Sequence, residues 1–138
     1  MQHERNLAIY DILQDNEFSL DENLGRFLPV GPYKLTLSVK NSLLLVLVED
    51  EKSQSHFELH LSLTPLRPII KDYFEICKSY FNAVKRLPPS QIETIDMGRR
   101  GIHLEGSKAL IERLDSKVKT DIPTAKRLFT LVCALHFK

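Results

Sequence analysis

The tightest constraint on this chain is a run of three strands in quick succession. Tyr33, Leu35, Leu37 and Val39 alternate with Lys34, Thr36 and Ser38, the period of a strand with one buried face. Lys40-Asn41-Ser42 reads as a turn. Leu43 to Val48 is apolar without alternation, the pattern of a strand buried on both faces. After a charged turn at Glu49 to Ser55, Phe57, Leu59, Leu61 and Leu63 alternate with His56, Glu58, His60 and Ser62. Links this short favour antiparallel neighbours, so the segment reads as a meander with Leu43 to Val48 in the middle. A middle strand that is apolar on both faces needs two covers. Helices supply one. The other falls to the first helix, to the long loop before the sheet, or to a partner chain, which makes a homodimer one of the expected solutions.

Helices flank the meander. Glu4 to Asn16 carries an apolar stripe through Ala8, Ile9, Ile12 and Leu13. Ser19 to Pro32 is a loop punctuated by Gly25, Pro29, Gly31 and Pro32. Thr64-Pro65 opens the strongest helical pattern, with Thr64 as cap and Pro65 as first residue. Its wide aromatic stripe from Ile69 through Tyr73, Phe74, Tyr80 and Phe81 to Val84 predicts the main core helix, which Pro88-Pro89 ends. Ser90-Gln91-Ile92-Glu93 fits a capping box for a short helix that Gly98 stops. Ser107 reads as the cap of a further helix through Leu110, Ile111 and Leu114. Thr120 or Asp121, followed by Pro123, starts a last helix that is apolar almost all round. The expectation is an α+β fold over a single domain, 1–138: one N-terminal helix, a three-stranded antiparallel meander, then three to four C-terminal helices packed on the sheet.

Composition narrows function by exclusion. Nineteen Lys plus Arg against 18 Asp plus Glu leave a formal net charge of +1, without the basic excess of a nucleic-acid-coating protein. The 2 cysteines, Cys77 and Cys133, stand apart in helical patterns and read as reduced thiols of a cytoplasmic protein. Met1 to Asp15 is polar and acidic, unlike a signal peptide. The most apolar run, Leu128 to Phe137, is shorter than the ~20 residues needed to cross a bilayer.

Polar groups crowd at Gly98 to Ser107. Arg99 and Arg100, beside glycines, can present guanidinium forks and free amides to one anion, with a helix N-terminus at Ser107 behind them. His103 and Glu105 are the residues here suited to proton transfer near neutral pH. The competing reading pairs Arg99 and Arg100 with Asp96, Glu93 or Glu105 simply to tie the turn down. His56, Glu58 and His60 share one strand face and are weak metal candidates; a solvated face is the plainer reading. Arg67, Lys71, Asp72 and Lys78 read as the wet face of the long helix. No phosphate-loop or dinucleotide glycine spacing is present, and Ser107 lacks the nucleophile-elbow pattern. No cofactor is expected.

Taken together, PSQIETIDMGRRG from Pro89, TPLRPIIKDYF from Thr64, His3-Glu4-Arg5, Gly31-Pro32-Tyr33, Glu105-Gly106-Ser107 and Arg127 to Cys133 resemble a small uncharacterised family of alphaproteobacterial proteins with a provisional UPF designation. The matching pieces run in order along nearly the whole chain. The resemblance implies a bacterial, cytoplasmic protein and carries no activity, cofactor or functional residue with it. Members have an additional N-terminal stretch rich in β-branched residues ahead of the piece matching His3. Were that stretch a strand, its absence would leave a sheet edge bare. Leu104 stands where the family pattern has an asparagine, which takes one polar group out of the segment. The functional expectation is a non-enzymatic regulatory or adaptor module that binds a protein partner or a small anion through Arg99, Arg100 and Ser107. The alternative is a small enzyme acting on a phosphorylated or carboxylated substrate with His103 and Glu105 as acid and base.

Overall fold

A computed structural model describes residues 1–136, so the end of the apolar run at Phe137 lies outside the described residues. The fold is α+β. Helix α1 (Gln2–Gln14) is followed by a short strand β1 (Phe18–Leu20), then by β2 (Lys34–Lys40), β3 (Leu43–Glu49) and β4 (His56–Ser62). Helices α2 (Arg67–Arg86) and α3 (Pro89–Leu114) come next, then strand β5 (Val118–Thr120) and helix α4 (Ile122–His136).

The meander forms as expected, antiparallel in the order β2-β3-β4. Asn41 and Ser42 have φ of 54° and 60°, the left-handed pair that a two-residue hairpin needs to match strand twist, and they set Lys40 opposite Leu43. Leu44, Val46, Val48, Leu59 and Leu61 point inward and are buried. On the other face Leu43, Leu45 and Leu47 are half-buried between the side chains of β2 and β4. α1 packs on α4 and does not cover them.

The centre of the molecule is α4, where Phe129, Val132 and Ala125 are fully enclosed. Asp121 starts it by accepting the Thr124 amide at 2.9 Å. α2 is less central than its stripe predicts. Ile70 and Tyr73 are buried, but Phe81 and Val84 near its C-terminus are 62% and 53% exposed. Lys85 Nζ covers the Phe81 ring at 4.2 Å, so solvent there meets a cation as well as an arene.

Thr64 does not cap α2: it opens a 3-10 turn, Thr64–Leu66, and Leu66 takes the cap position. Two further features depart from the sequence reading. Phe18–Leu20 is not loop but pairs antiparallel with Val118–Thr120, and the Glu17 amide and carbonyl bond Thr124 and Thr120 across the same junction. Strands this short carry no readable period, and the partner lies far along the chain. The larger departure is α3, one unbroken helix where two helices and a loop were expected. Pro88 occupies its cap position and Pro89 its first turn, so Ser90 lies inside the helix rather than capping it. Ser107 opens nothing: it is fully buried mid-helix, its hydroxyl donating to the His103 carbonyl at 2.7 Å.

The glycines do not end this helix; two of them let it come close to its neighbours. A Cβ on Gly98 would stand 3.0 Å from Ile76 of α2, and one on Gly106 would stand 2.2 Å from the Phe129 ring of α4. Gly101 is different, since a Cβ there meets nothing within 4 Å. Gly101→Ala is therefore expected to stabilise the protein by roughly 0.5–1 kcal/mol through helix propensity alone. A urea midpoint that rises for this variant bears it out; a fall would show a contact at Gly101 that the fold does not contain.

Candidate functional site

Because α3 is continuous, residues three and four apart share a face. Asp96, Arg99, Arg100 and His103 follow that spacing, and the last three line a cleft of about 410 Å³. Its walls are α1 through Glu4 and Asp11, α2 through Tyr73, and α4 through Lys126, Arg127 and Thr130. Sequence reading finds the α3 contribution. It misses Lys126, Arg127, Thr130 and Tyr73, although the spacing of Lys126 and Thr130 already puts both on one face of the last helix.

Asp96 organises the two arginines. One carboxylate oxygen accepts from Arg99 Nε at 3.0 Å and Nη2 at 2.7 Å, and the other meets Arg100 Nη2 at 2.8 Å. The hydrogen bond from Arg99 holds the Asp96 carboxyl below its ordinary value, with the charges of both arginines adding to it against partial burial. The Arg99 guanidinium lies 5.1 Å from the centre of the Tyr80 ring, which fixes its plane. Pairing with Asp96, the plainer of the two expectations for these arginines, is thus present. Yet one carboxylate answers only one of two guanidinium charges, and Arg100 keeps 75% of its side chain exposed.

His103 is packed between aromatic rings, 5.1 Å from Tyr73 and 5.3 Å from Phe129. Its Nε2 lies 2.8 Å from Thr130 Oγ1, whose hydroxyl donates onward to the Lys126 carbonyl at 3.2 Å. With the hydroxyl proton committed to Lys126, Thr130 accepts, so the consistent tautomer carries its proton on Nε2. Burial, helped by the charges of Lys126 and Arg99, pushes the imidazole down to about 4. At neutral pH His103 is uncharged and supplies hydrogen bonding rather than charge.

Above about 6.5, the ordinary histidine value, His103 is neutral both folded and unfolded. As pH falls the unfolded chain takes up the proton first, while the folded chain resists until about 4. Stability therefore declines between those values, by at most ~1.4 kcal/mol per pH unit from this group. His103→Gln is expected to flatten that part of a urea-midpoint profile relative to wild type; identical slopes would mean that His103 titrates normally.

The remaining candidates lie elsewhere. Ser107 is buried behind His103 and does not line the cleft. Glu105 is exposed and, two residues along the helix, cannot face the same way as His103. His56, Glu58 and His60 stand exposed on β4, where His60 Nε2 and Glu58 Oε1 pair at 2.9 Å. Among the described residues no group of His, Cys, Asp and Glu is arranged to hold a metal ion, and no helix is long and apolar enough to cross a membrane. Arg67, Lys71, Asp72 and Lys78 are exposed along α2. Cys77 is a half-buried free thiol and Cys133 a buried one, its ionisation pushed up by burial.

Comparison with known proteins gives a family without an activity. The model of UPF0262, an uncharacterised protein family, matches residues 1–138. A UPF0262 protein of Ruegeria pomeroyi is 56% identical over 137 residues, covering 99% of this chain and 85% of the relative. One from Roseobacter denitrificans is 55% identical over 99% of this chain and 86% of its own length. A third, from Cereibacter sphaeroides, is 53% identical, with 99% and 87% covered. No solved structure matches the chain.

Proposed function

Since the chain belongs to UPF0262, a family whose description supplies no chemistry, we propose its function from its own side chains: a non-enzymatic regulatory or adaptor module whose helix-lined cleft takes a small anionic ligand. The observation that carries this reading is the set of four cations lining the cleft, Arg99, Arg100, Lys126 and Arg127, against two lining carboxylates, Glu4 and Asp11. Arg99 and Arg100 share the Asp96 carboxylate on α3, and Lys126 and Arg127 approach from α4. Partial enclosure by α1 and the rings of Tyr73 and His103 lowers the local dielectric, which strengthens attraction for an anion relative to open surface. A guanidinium already fixed by Asp96 and Tyr80 loses little freedom when it binds a phosphate or carboxylate.

The same arrangement favours binding over turnover. His103 is a neutral side chain tied to Thr130, and Glu105 faces away from it, so the His103–Glu105 pair on which the enzyme alternative relied does not meet at the cleft. The free thiols suit a reducing compartment, and we take the protein as cytoplasmic.

Thermal-shift measurements with phosphates, nucleotides and carboxylates test the proposal on wild type and on the Arg99→Ala/Arg100→Ala double variant. A ligand at ~100 times its Kd should stabilise wild type by roughly 2.7 kcal/mol, and the double variant should lose that gain while melting close to wild type without ligand. Equal stabilisation of both proteins would remove the arginines from the site. No shift with any anion, together with a low-melting double variant, would leave Arg99 and Arg100 as structural pairs.

A further inference from the structure

The three-stranded sheet has two outer edges, and they differ in what they can accept. The bonds from Leu63 N to Ser42 O at 2.8 Å and from Asp50 N to Ser55 O at 3.1 Å fix which residues of β4 face β3. By that parity Phe57, Leu59 and Leu61 bond to β3, while His56, Glu58, His60 and Ser62 turn their N–H and C=O groups outward. Among the described residues nothing pairs with those groups, and all four side chains are exposed.

We propose that the β4 edge is the docking surface for a second copy of this chain, joined antiparallel about a two-fold axis at Leu59. An axis there sets Glu58 opposite His60 of the second copy and His56 opposite Ser62, each pair exchanging two backbone hydrogen bonds. Glu58 and His60 already lie 2.9 Å apart within one strand, so the two copies together bring carboxylates and imidazoles into alternating contact. Donor–acceptor complementarity between imidazole and carboxylate singles out this register. Sliding the strands by two residues places Glu58 opposite Glu58, or His60 opposite His60. A slide by one residue sets an outward side chain opposite an inward one. The β2 edge offers no such match: self-pairing over its full length puts Lys34 opposite Lys40 at both ends, and lysines at strand ends are a common guard against edge pairing.

Sedimentation equilibrium on the full chain tests the proposal, with wild type, Glu58→Lys, His60→Glu and the double swap Glu58→Lys/His60→Glu. These positions are exposed, so circular dichroism should show all four proteins equally folded. Wild type is expected to weigh twice the 15.9 kDa chain. His60→Glu places carboxylates opposite each other twice per dimer, and Glu58→Lys takes away the acceptor facing each imidazole; each should weaken association roughly tenfold or more, and the double swap, which sets lysine opposite glutamate, should restore it. A wild type that stays monomeric up to millimolar concentration overturns the proposal. So does a dimer unmoved by either single variant, which would lie on another surface. Failure of the double swap to rescue would overturn the register and with it the two-fold at Leu59.

Discussion

Gly106→Ala is expected to cost about 2 kcal/mol of stability, a fall of roughly 6 to 8 °C in Tm for a chain of this length. The added carbon would stand 2.2, 2.5 and 2.7 Å from three atoms of the Phe129 ring. Such distances force something to move. Phe129 has no room to do so: it is fully buried, with Tyr73 at 5.8 Å and His103 at 5.3 Å between ring centres. α3 would have to back away from α4. Alanine also favours a helix over glycine by about 1 kcal/mol, so the net loss stands despite a local gain. Gly101→Ala, in the same helix with open space around it, isolates that gain and is expected to carry the opposite sign. If Gly106→Ala proved neutral, the close crossing of α3 and α4 would be wrong.

Phe129→Ala is expected to cost more, roughly 3–5 kcal/mol. The ring is the common neighbour of Gly106, Tyr73 and His103, and so ties α4 to both α2 and α3. Removing it leaves a cavity beside the His103–Thr130 hydrogen bond. The two positions should also be coupled. In a Phe129→Leu background, where the intruding ring edge is gone, Gly106→Ala should cost clearly less than in wild type. Additive losses measured by urea denaturation would place the two residues out of contact.

The meander was legible because period-two alternation and short turns are local signals, and every residue from Tyr33 to Leu63 contributes to them. α3 was not, because glycine has two opposite meanings. It ends helices where backbone freedom is needed, and it sits inside them where a neighbour comes too close for a side chain. Only the position of Phe129, distant in sequence, tells the two apart at Gly106. The same limit applied to Ser107, which looks like a cap in isolation but satisfies itself on the His103 carbonyl inside the helix. Arg99, Arg100 and His103 were visible as a polar cluster lacking an apolar purpose. Their companions Lys126 and Thr130 come from another helix, and a single sequence holds no signal for which helix lies across from which. The outer face of β3 was read as needing a cover. Leu43, Leu45 and Leu47 instead reach partial burial between flanking β2 and β4 side chains.

The cleft between α1, α3 and α4 is the anion site we propose. The most direct measurement is a titration of the isotope-labelled chain with inorganic pyrophosphate, followed by amide and arginine side-chain resonances. Saturable shifts are predicted at Arg99, Arg100, His103 and Lys126, weakening as salt is raised and absent in the Arg99→Ala/Arg100→Ala variant. Shifts that fail to saturate, or that saturate at residues away from these four, would contradict it.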